Sequence, residues 1–348
     1  MTRSADDTPL LAARLCAQLL SGAPASGPVA VAERLLAVQG QDPRGVRLAI
    51  RARTRGLTVA SVERALTDER TLVISWLCRG TLHLVRREDY PWLHALTGHR
   101  QVGPTSRRLA QLDVSPTAAE RGVAAIERSL ASEGPLTREQ LRARLDRARV
   151  PTAGQTLIHL LGLAAARGLI VRAPMVGVHQ AYVLVRDWLG AQPAVDRDRA
   201  LAELARRYLA GHGPAGDRDL ARWAGLPLRD ARSGLAAIAS GLRERGDGLL
   251  DLAGRRDATG MPPPRLLGAF DPVLLGWSSR EAILGRHAGA VVGSGLFRPI
   301  ALVGGRAVGI WALRAGSVSL EPFARVRRAD AAALELDARD VTRYLATA

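Results

Sequence analysis

The chain has 348 residues, 47% hydrophobic and 24% charged, with mean hydropathy near zero, the make-up of a folded globular protein of two or three domains. No run approaches the roughly 18 apolar residues of a membrane span, and the opening MTRSADDTPL resembles neither a secretory signal nor an Arg-rich transit peptide, so a cytoplasmic protein without membrane contact is expected. The 49 basic residues, every one an arginine, outnumber 33 acidic ones for a net charge of +16, which excludes an acidic or neutral surface and points to a polyanionic partner.

Helical periodicity begins at 9–20 and recurs at 28–38, 45–55 and 59–68. Strand-like LVISWLC (72–78), an Arg79-Gly80 turn and TLHLV (81–85) follow. Two amphipathic helices, 137–147 and 155–168, then precede LIVRAP (169–174) and HQAYVLV (179–185), separated by a hairpin-sized Met175–Val178 connection. Helix, helix, hairpin is the winged helix-turn-helix plan. It recurs in helices at 217–224 and 227–241 with the strand LLDLAG (249–254), and GPLTREQL (134–141) aligns without gaps to GPAGDRDL (213–220). After the Pro-rich break MPPPR (261–265) come strands RPIALV (298–303), RAVGIWAL (306–313) and SVSLEPFARV (317–326), then a helix over 328–345.

The expected fold is α+β, mainly α: three tandem winged helix-turn-helix units with a small C-terminal antiparallel sheet or barrel. The units are placed at 1–112, 113–195 and 196–260, and the β-rich region with its terminal helix at 261–348. Three DNA-binding motifs in one chain, without long linkers, form a cradle for a duplex more readily than a dimeric reader of half-sites, so a monomer is expected.

The missing lysine removes the P-loop and Schiff-base classes, which need a side-chain amine. HExxH, GxSxG, DxDxDG and GxGxxG are absent. Cys16 and Cys78 form no metal or disulfide pattern and read as core thiols, as the six tryptophans read as core. No metal or cofactor is expected.

Five segments in order, VQGQDPR (38–44), WLCRGTLHLV (76–85), YLAGHGPAGDRDLARWAGLP (208–227), FDPVLLGW (270–277) and GLFRPIALVGGRAVGIW (295–311), resemble the AlkZ-like winged-helix DNA glycosylases, related to YcaQ, over about residues 10–345. The resemblance assigns catalysis to a Gln-x-Gln motif, here Gln39 and Gln41. The middle residue is Gly40, where the family usually carries a larger apolar one. It also implies a monofunctional enzyme acting on double-stranded DNA with alkylated bases: bulky N7-guanine adducts and interstrand crosslinks.

The residues themselves fit that chemistry. Residues 29–38 read as a helix with Gly40 as its left-handed cap, and Pro43 biases Asp42 to an extended backbone. Two residues apart on an extended segment share a face, so Gln39 and Gln41 enter one site. Amides hold a water and point dipoles at an oxocarbenium-like sugar, but they cannot protonate a leaving base. A purine that is already cationic needs no such proton. Asp42, adjacent and ionisable, is the second candidate base or else a helix cap.

Candidate DNA contacts are Arg44, Arg47 and Arg51 at helical spacing, Arg79 and His83 around the RGTLH turn, and Arg298 and Arg306 bracketing a hairpin with a Gly304-Gly305 tip. The competing function is a non-catalytic winged-helix transcriptional regulator. Helix 155–168, QTLIHLLGLAAARG, counts against it, because it carries few side chains able to read base edges.

Overall fold

The computed structural model describes residues 7–256, 258 and 260–346, and shows a mainly α-helical chain with small antiparallel sheets. Among the described residues no helix is long and apolar enough to cross a membrane. Residues Glu63–Ala200 form one compact unit, and Met1–Val62 with Leu201–Ala348 form the other. This division cuts across the four expected segments, because 63–112 joins the middle of the chain and the C-terminal sheet joins the N-terminal helices.

In the 63–200 unit, strands Leu72–Trp76 and Leu82–Arg86 pair antiparallel with Ser75 opposite His83. The strand Ile170–Val176 continues the sheet from Leu72–Trp76, and His179–Leu184 lies at its end. Helices Pro116–Glu133, Arg138–Arg147 and Thr156–Ala166 cover a core of Leu109, Ile126, Leu141, Leu160 and Leu184. Their starts are written locally. Ser115 caps the first by accepting from the Ala118 N–H at 3.2 Å, and Thr137 and Gln140 cap each other's backbone at the second.

Helix Thr156–Ala166 is apolar apart from Thr156 and the half-buried His159, and nine of its eleven residues are buried, Thr156, Leu157 and the run Leu160–Ala166. A helix of that kind belongs to a core rather than a DNA groove.

The second unit contains helices Pro28–Leu35 and Pro43–Arg51, helix Arg197–His212 from Leu201 onward, and helices Asp217–Ala224 and Leu228–Ala237, which lead into a short hairpin, Leu242–Glu244 with Leu250–Leu252. Its main sheet runs Ser317–Pro322, Arg306–Arg314, Ile300–Val303, Arg265–Leu267, all antiparallel. The sheet is open at both edges, which corrects the barrel alternative. The fourth strand, directly after the proline run, was not expected. Helix Arg328–Leu345 and Leu48 of helix Pro43–Arg51 bury Leu266, Ala301 and Trp311 in one core with Leu334 and Val341.

Two local expectations are also corrected. The helix expected over 29–38 ends at Leu35, where Leu36 turns it at φ 64°, and Val38–Gln39 is already extended. The cause is a crossing helix: Gly211 lies so near the Arg34 carbonyl that a Cβ there would overlap it. Gly40 is therefore no left-handed cap. The Gly304-Gly305 tip does not reach outward either. A Cβ on Gly305 would strike Leu15 at 2.8 Å and Leu11 at 2.9 Å, so the turn is packed onto helix Asp7–Ala17.

Candidate active site

The Gln-x-Gln segment is an extended bridge between two helices. Because Gln39 is in β conformation and Asp42 remains extended (φ −99°, ψ 115°), the side chains of Gln39 and Gln41 emerge on one face, and the Gln39 amide Nε2 donates to Gln41 Oε1. Gln39 is 6% exposed while Gln41 is on the surface, so the pair consists of an anchored amide and a solvent-facing one.

Asp42 caps helix Pro43–Arg51: its Oδ1 accepts from the Gly45 N–H, and Pro43 occupies the first turn, where no N–H is needed. One carboxylate oxygen is thereby committed to the backbone. Gly45 is required sterically, since a Cβ there would overlap the Ala269 carbonyl oxygen, and a Cβ on Gly268 would lie 3.0 Å from the Gly45 Cα on the other side. The helix that carries the motif is thus seated directly against the chain leaving strand Arg265–Leu267.

The three arginines after the motif do not make a stripe. Arg44 is exposed in the first turn, but Arg47 is 7% exposed and donates to the Pro43 carbonyl at 2.8 Å. Arg51 is buried, with Nη1 and Nη2 on the two oxygens of Asp337 at 3.0 and 2.9 Å, a further bond to Asp340 at 3.0 Å and one to the Leu266 carbonyl at 2.8 Å. Burial works against the Arg51 charge, but the two aspartates outweigh it and hold the guanidinium above its ordinary range. The expectation that Arg51 meets DNA is therefore corrected. The apolar helix face lies against the sheet, and a residue on that face can keep its charge only beside carboxylates.

Arg79 stands at the Cys78–Gly80 turn with φ 57°, half-buried, and a Cβ on the adjacent Gly80 would meet the Gln101 amide at 2.5 Å. His83 is buried, and its Nδ1 lies 2.9 Å from the Thr81 carbonyl, which can only accept, so Nδ1 carries the proton. Burial, then the charge of Arg79, pushes its pKa down to about 3. A neutral, enclosed imidazole is a structural group, which corrects its expected role as a phosphate contact.

Arg298 is on the surface, 3.9 Å from Glu321. Arg306 donates to the Ala282 carbonyl at 3.0 Å and lines an open pocket of about 410 Å³ with Arg286 and His287. Cys16 and Cys78 are free thiols, Cys78 buried. Four tryptophans are buried and Trp76 and Trp92 half-buried.

Sequence reasoning missed the buried polar partners. Arg53 and Asp271 form a closed ion pair at 2.8 Å with no exposure on either side chain, and Gln18 accepts from Arg53 at 3.1 Å. Partners separated by 218 and 286 positions leave no periodic trace. The only available signal for Asp271 was its place in FDPVLLGW.

A sequence profile of the family described as DNA glycosylase AlkZ-like matches residues 32–344, which span the motif, both units and the terminal helix. The chain belongs to this family. It is accordingly a DNA glycosylase, a hydrolase of N-glycosyl bonds in DNA. An interstrand DNA cross-link repair glycosylase of Streptomyces sahachiroi is 27% identical over 350 residues, covering 90% of this chain and 89% of that protein. The solved structure of Streptomyces sahachiroi DNA glycosylase AlkZ shares the fold at a TM-score of 0.79 and 24% identity, over 98% of this chain and 97% of that one.

Proposed function

We propose that this glycosylase excises cationic alkylated purines, N7-alkylguanines and bulky adducts including interstrand crosslinks, from duplex DNA, using water held at Gln39 and Gln41. The observation that carries this reading is the contact between the two amides on one extended face. It fixes the rotamer of the exposed Gln41 through the anchored Gln39. Gln41 keeps its own amide N–H donors and a second lone pair for water or the sugar. One Asp42 oxygen is committed to the helix cap, so beside the two amides Asp42 offers a single remaining oxygen.

The chemistry follows from what an amide can and cannot do. Water oxygen bonds to the sugar C1′, and the N-glycosyl bond breaks with its electron pair passing to the base, which neutralises the purine cation. The proton leaves the attacking water through the amide-held solvent. No general acid is needed, because the leaving group carries its positive charge beforehand, and the amide dipoles face the developing sugar charge. With no lysine in the chain, strand cleavage through a side-chain Schiff base is not available. The crosslink class is supported by the name of the Streptomyces sahachiroi relative. Arg44, Arg79, Arg298 and Arg306 are proposed as phosphate contacts of a monomeric enzyme.

The test is single-turnover excision at saturating enzyme from duplex DNA carrying N7-methylguanine. The wild-type protein should release the base and leave an abasic strand that breaks only on alkali treatment. Gln39→Ala and Gln41→Ala should each slow release by roughly 10²–10³, the scale for losing one oriented transition-state donor. The double variant should be little worse than either, because both act on one water. Wild-type rates in both single variants would remove the amide mechanism.

A further inference from the structure

Resting on that reading of Gln39 and Gln41, we infer that the buried Arg51–Asp337 pair is a positioning device through which the C-terminal helix sets the placement of the catalytic amides. Asp337 accepts from four donors on two other chain segments: Arg51 Nη1 and Nη2, the Leu266 N–H at 2.7 Å and Arg265 Nη1 at 3.3 Å. Arg51 returns a bond to the Leu266 carbonyl. One carboxylate and one guanidinium therefore join the end of helix Pro43–Arg51, strand Arg265–Leu267 and helix Arg328–Leu345.

That strand also governs the other end of the same helix, because the residues leaving it, Gly268 and Ala269, are the ones pressed against Gly45. Helix Pro43–Arg51 is thus held at both ends by a single stretch of chain. Nine residues at 1.5 Å each make it a rigid lever of about 13 Å. Asp42 and Gln41 ride on its N-terminal tip, since the Asp42 cap ties the motif to the first turn. A tilt of about 5° at Arg51 moves that tip by about 1 Å, enough to cost on the order of 10²-fold where a reacting group must be aligned.

Stability alone is a poor reason for such a pair. Replacing a buried ion pair with apolar residues is often neutral or stabilising, because desolvation offsets the attraction. A forked Arg–carboxylate pair, in contrast, fixes angle as well as distance, which an apolar contact does not.

The experiment is a double-mutant cycle between Asp337→Asn and Gln41→Ala, read by single-turnover excision of N7-methylguanine alongside affinity for undamaged duplex. Asp337→Asn should slow excision by about 10- to 100-fold with duplex affinity changed less than about twofold. In the Gln41→Ala background the same substitution should cost less than about threefold, since the group it places is gone. Arg86→Gln, which breaks the Arg86–Asp89 pair in the other unit, serves as the stability control. It should lower the Tm comparably and leave excision unchanged. Asp340→Asn, which removes the half-exposed second partner of Arg51, gives a milder loss in the same direction if Asp337→Asn does not fold.

Full multiplication of the Asp337→Asn effect in the Gln41→Ala background, or an equal rate loss in Arg86→Gln, overturns the inference. A slow Gln41→Ala beside an Asp337→Asn enzyme of wild-type rate overturns the positioning role and leaves the amide mechanism standing. A wild-type rate in Gln41→Ala removes both.

Discussion

His83 shows how burial decides what a polar residue can do. Its ring lies opposite Ser75 across the strand pair, bonded to its own strand at Thr81 and closed off from solvent. The folded chain holds it neutral down to about pH 3, whereas an unfolded histidine takes up a proton below about 6.5. The unfolded state therefore binds more protons throughout that window. The stability contributed is full above pH 6.5 and is lost as pH falls toward 3, at about 1.4 kcal/mol per unit. Burial lowers His94 as well, which adds to the loss in the same direction. Urea unfolding at pH 6.5 and pH 5 should show a drop of about 2 kcal/mol from His83, and His83→Asn should flatten the slope correspondingly. An unchanged slope in that variant would mean that His83 is not held neutral. At this scale the sequence was legible where chemistry is local. The Gln-x-Gln pair could be read because an extended segment has a period of two. Arg51 and His83 could not, because an arginine or histidine has the same letter whether it faces water or a buried partner.

Among the elements, helix Pro43–Arg51 combines local and distant determinants. The helix expected over 45–55 runs from Pro43 to Arg51, starting two residues earlier and ending four sooner, while the extended Asp42 that Pro43 imposes and its role as a cap are what the structure contains. Its neighbour Pro28–Leu35 was read three residues too long because the crossing at Gly211 is a tertiary event without a signal in 28–38. Strand Arg265–Leu267 was missed for a related reason: three residues are too few for a period, and it is a strand because Ile300–Val303 pairs with it. The helix also gives a discriminating substitution. Gly45→Ala gains helix propensity of about 1 kcal/mol, but the new methyl would overlap the Ala269 carbonyl, a backbone atom that can move only with its strand. Overpacking of this kind costs about 1–3 kcal/mol, so the clash should win. Urea unfolding should show net destabilisation of about 0–2 kcal/mol, with excision slowed by more than that loss explains. A Gly45→Ala protein that is more stable than wild type would mean that the seat against Ala269 is loose.

For the whole molecule, the arginine surplus was legible in the count, but its distribution was not, and the distribution decides how the protein meets a polyanion. Arg51 and Arg53 are enclosed and paired with aspartates, and Arg47 and Arg207 are buried. Others form surface pairs, such as Arg144 with Glu133 and Arg206 with Glu203. The count of 49 arginines therefore overstates the number of guanidiniums able to meet phosphates. Each phosphate neutralised on duplex DNA releases counterions and contributes about −0.9 to the slope of log affinity against log salt. A handful of contacts from exposed arginines gives an expected slope of roughly −4 to −8 for undamaged duplex, as measured by fluorescence anisotropy between about 50 and 300 mM salt. The structure then divides residues that the sequence placed together. Arg44→Gln removes an exposed cation in the first turn and should reduce the slope by about 0.9 while weakening binding equally for all sequences. Arg51→Gln combined with Asp337→Asn, which removes the enclosed pair seven positions along the same helix, should leave the slope unchanged. Equal effects from the two would mean that Arg51 leaves its buried partners on binding, and a wild-type slope near zero would mean that the positive charge has no part in holding DNA.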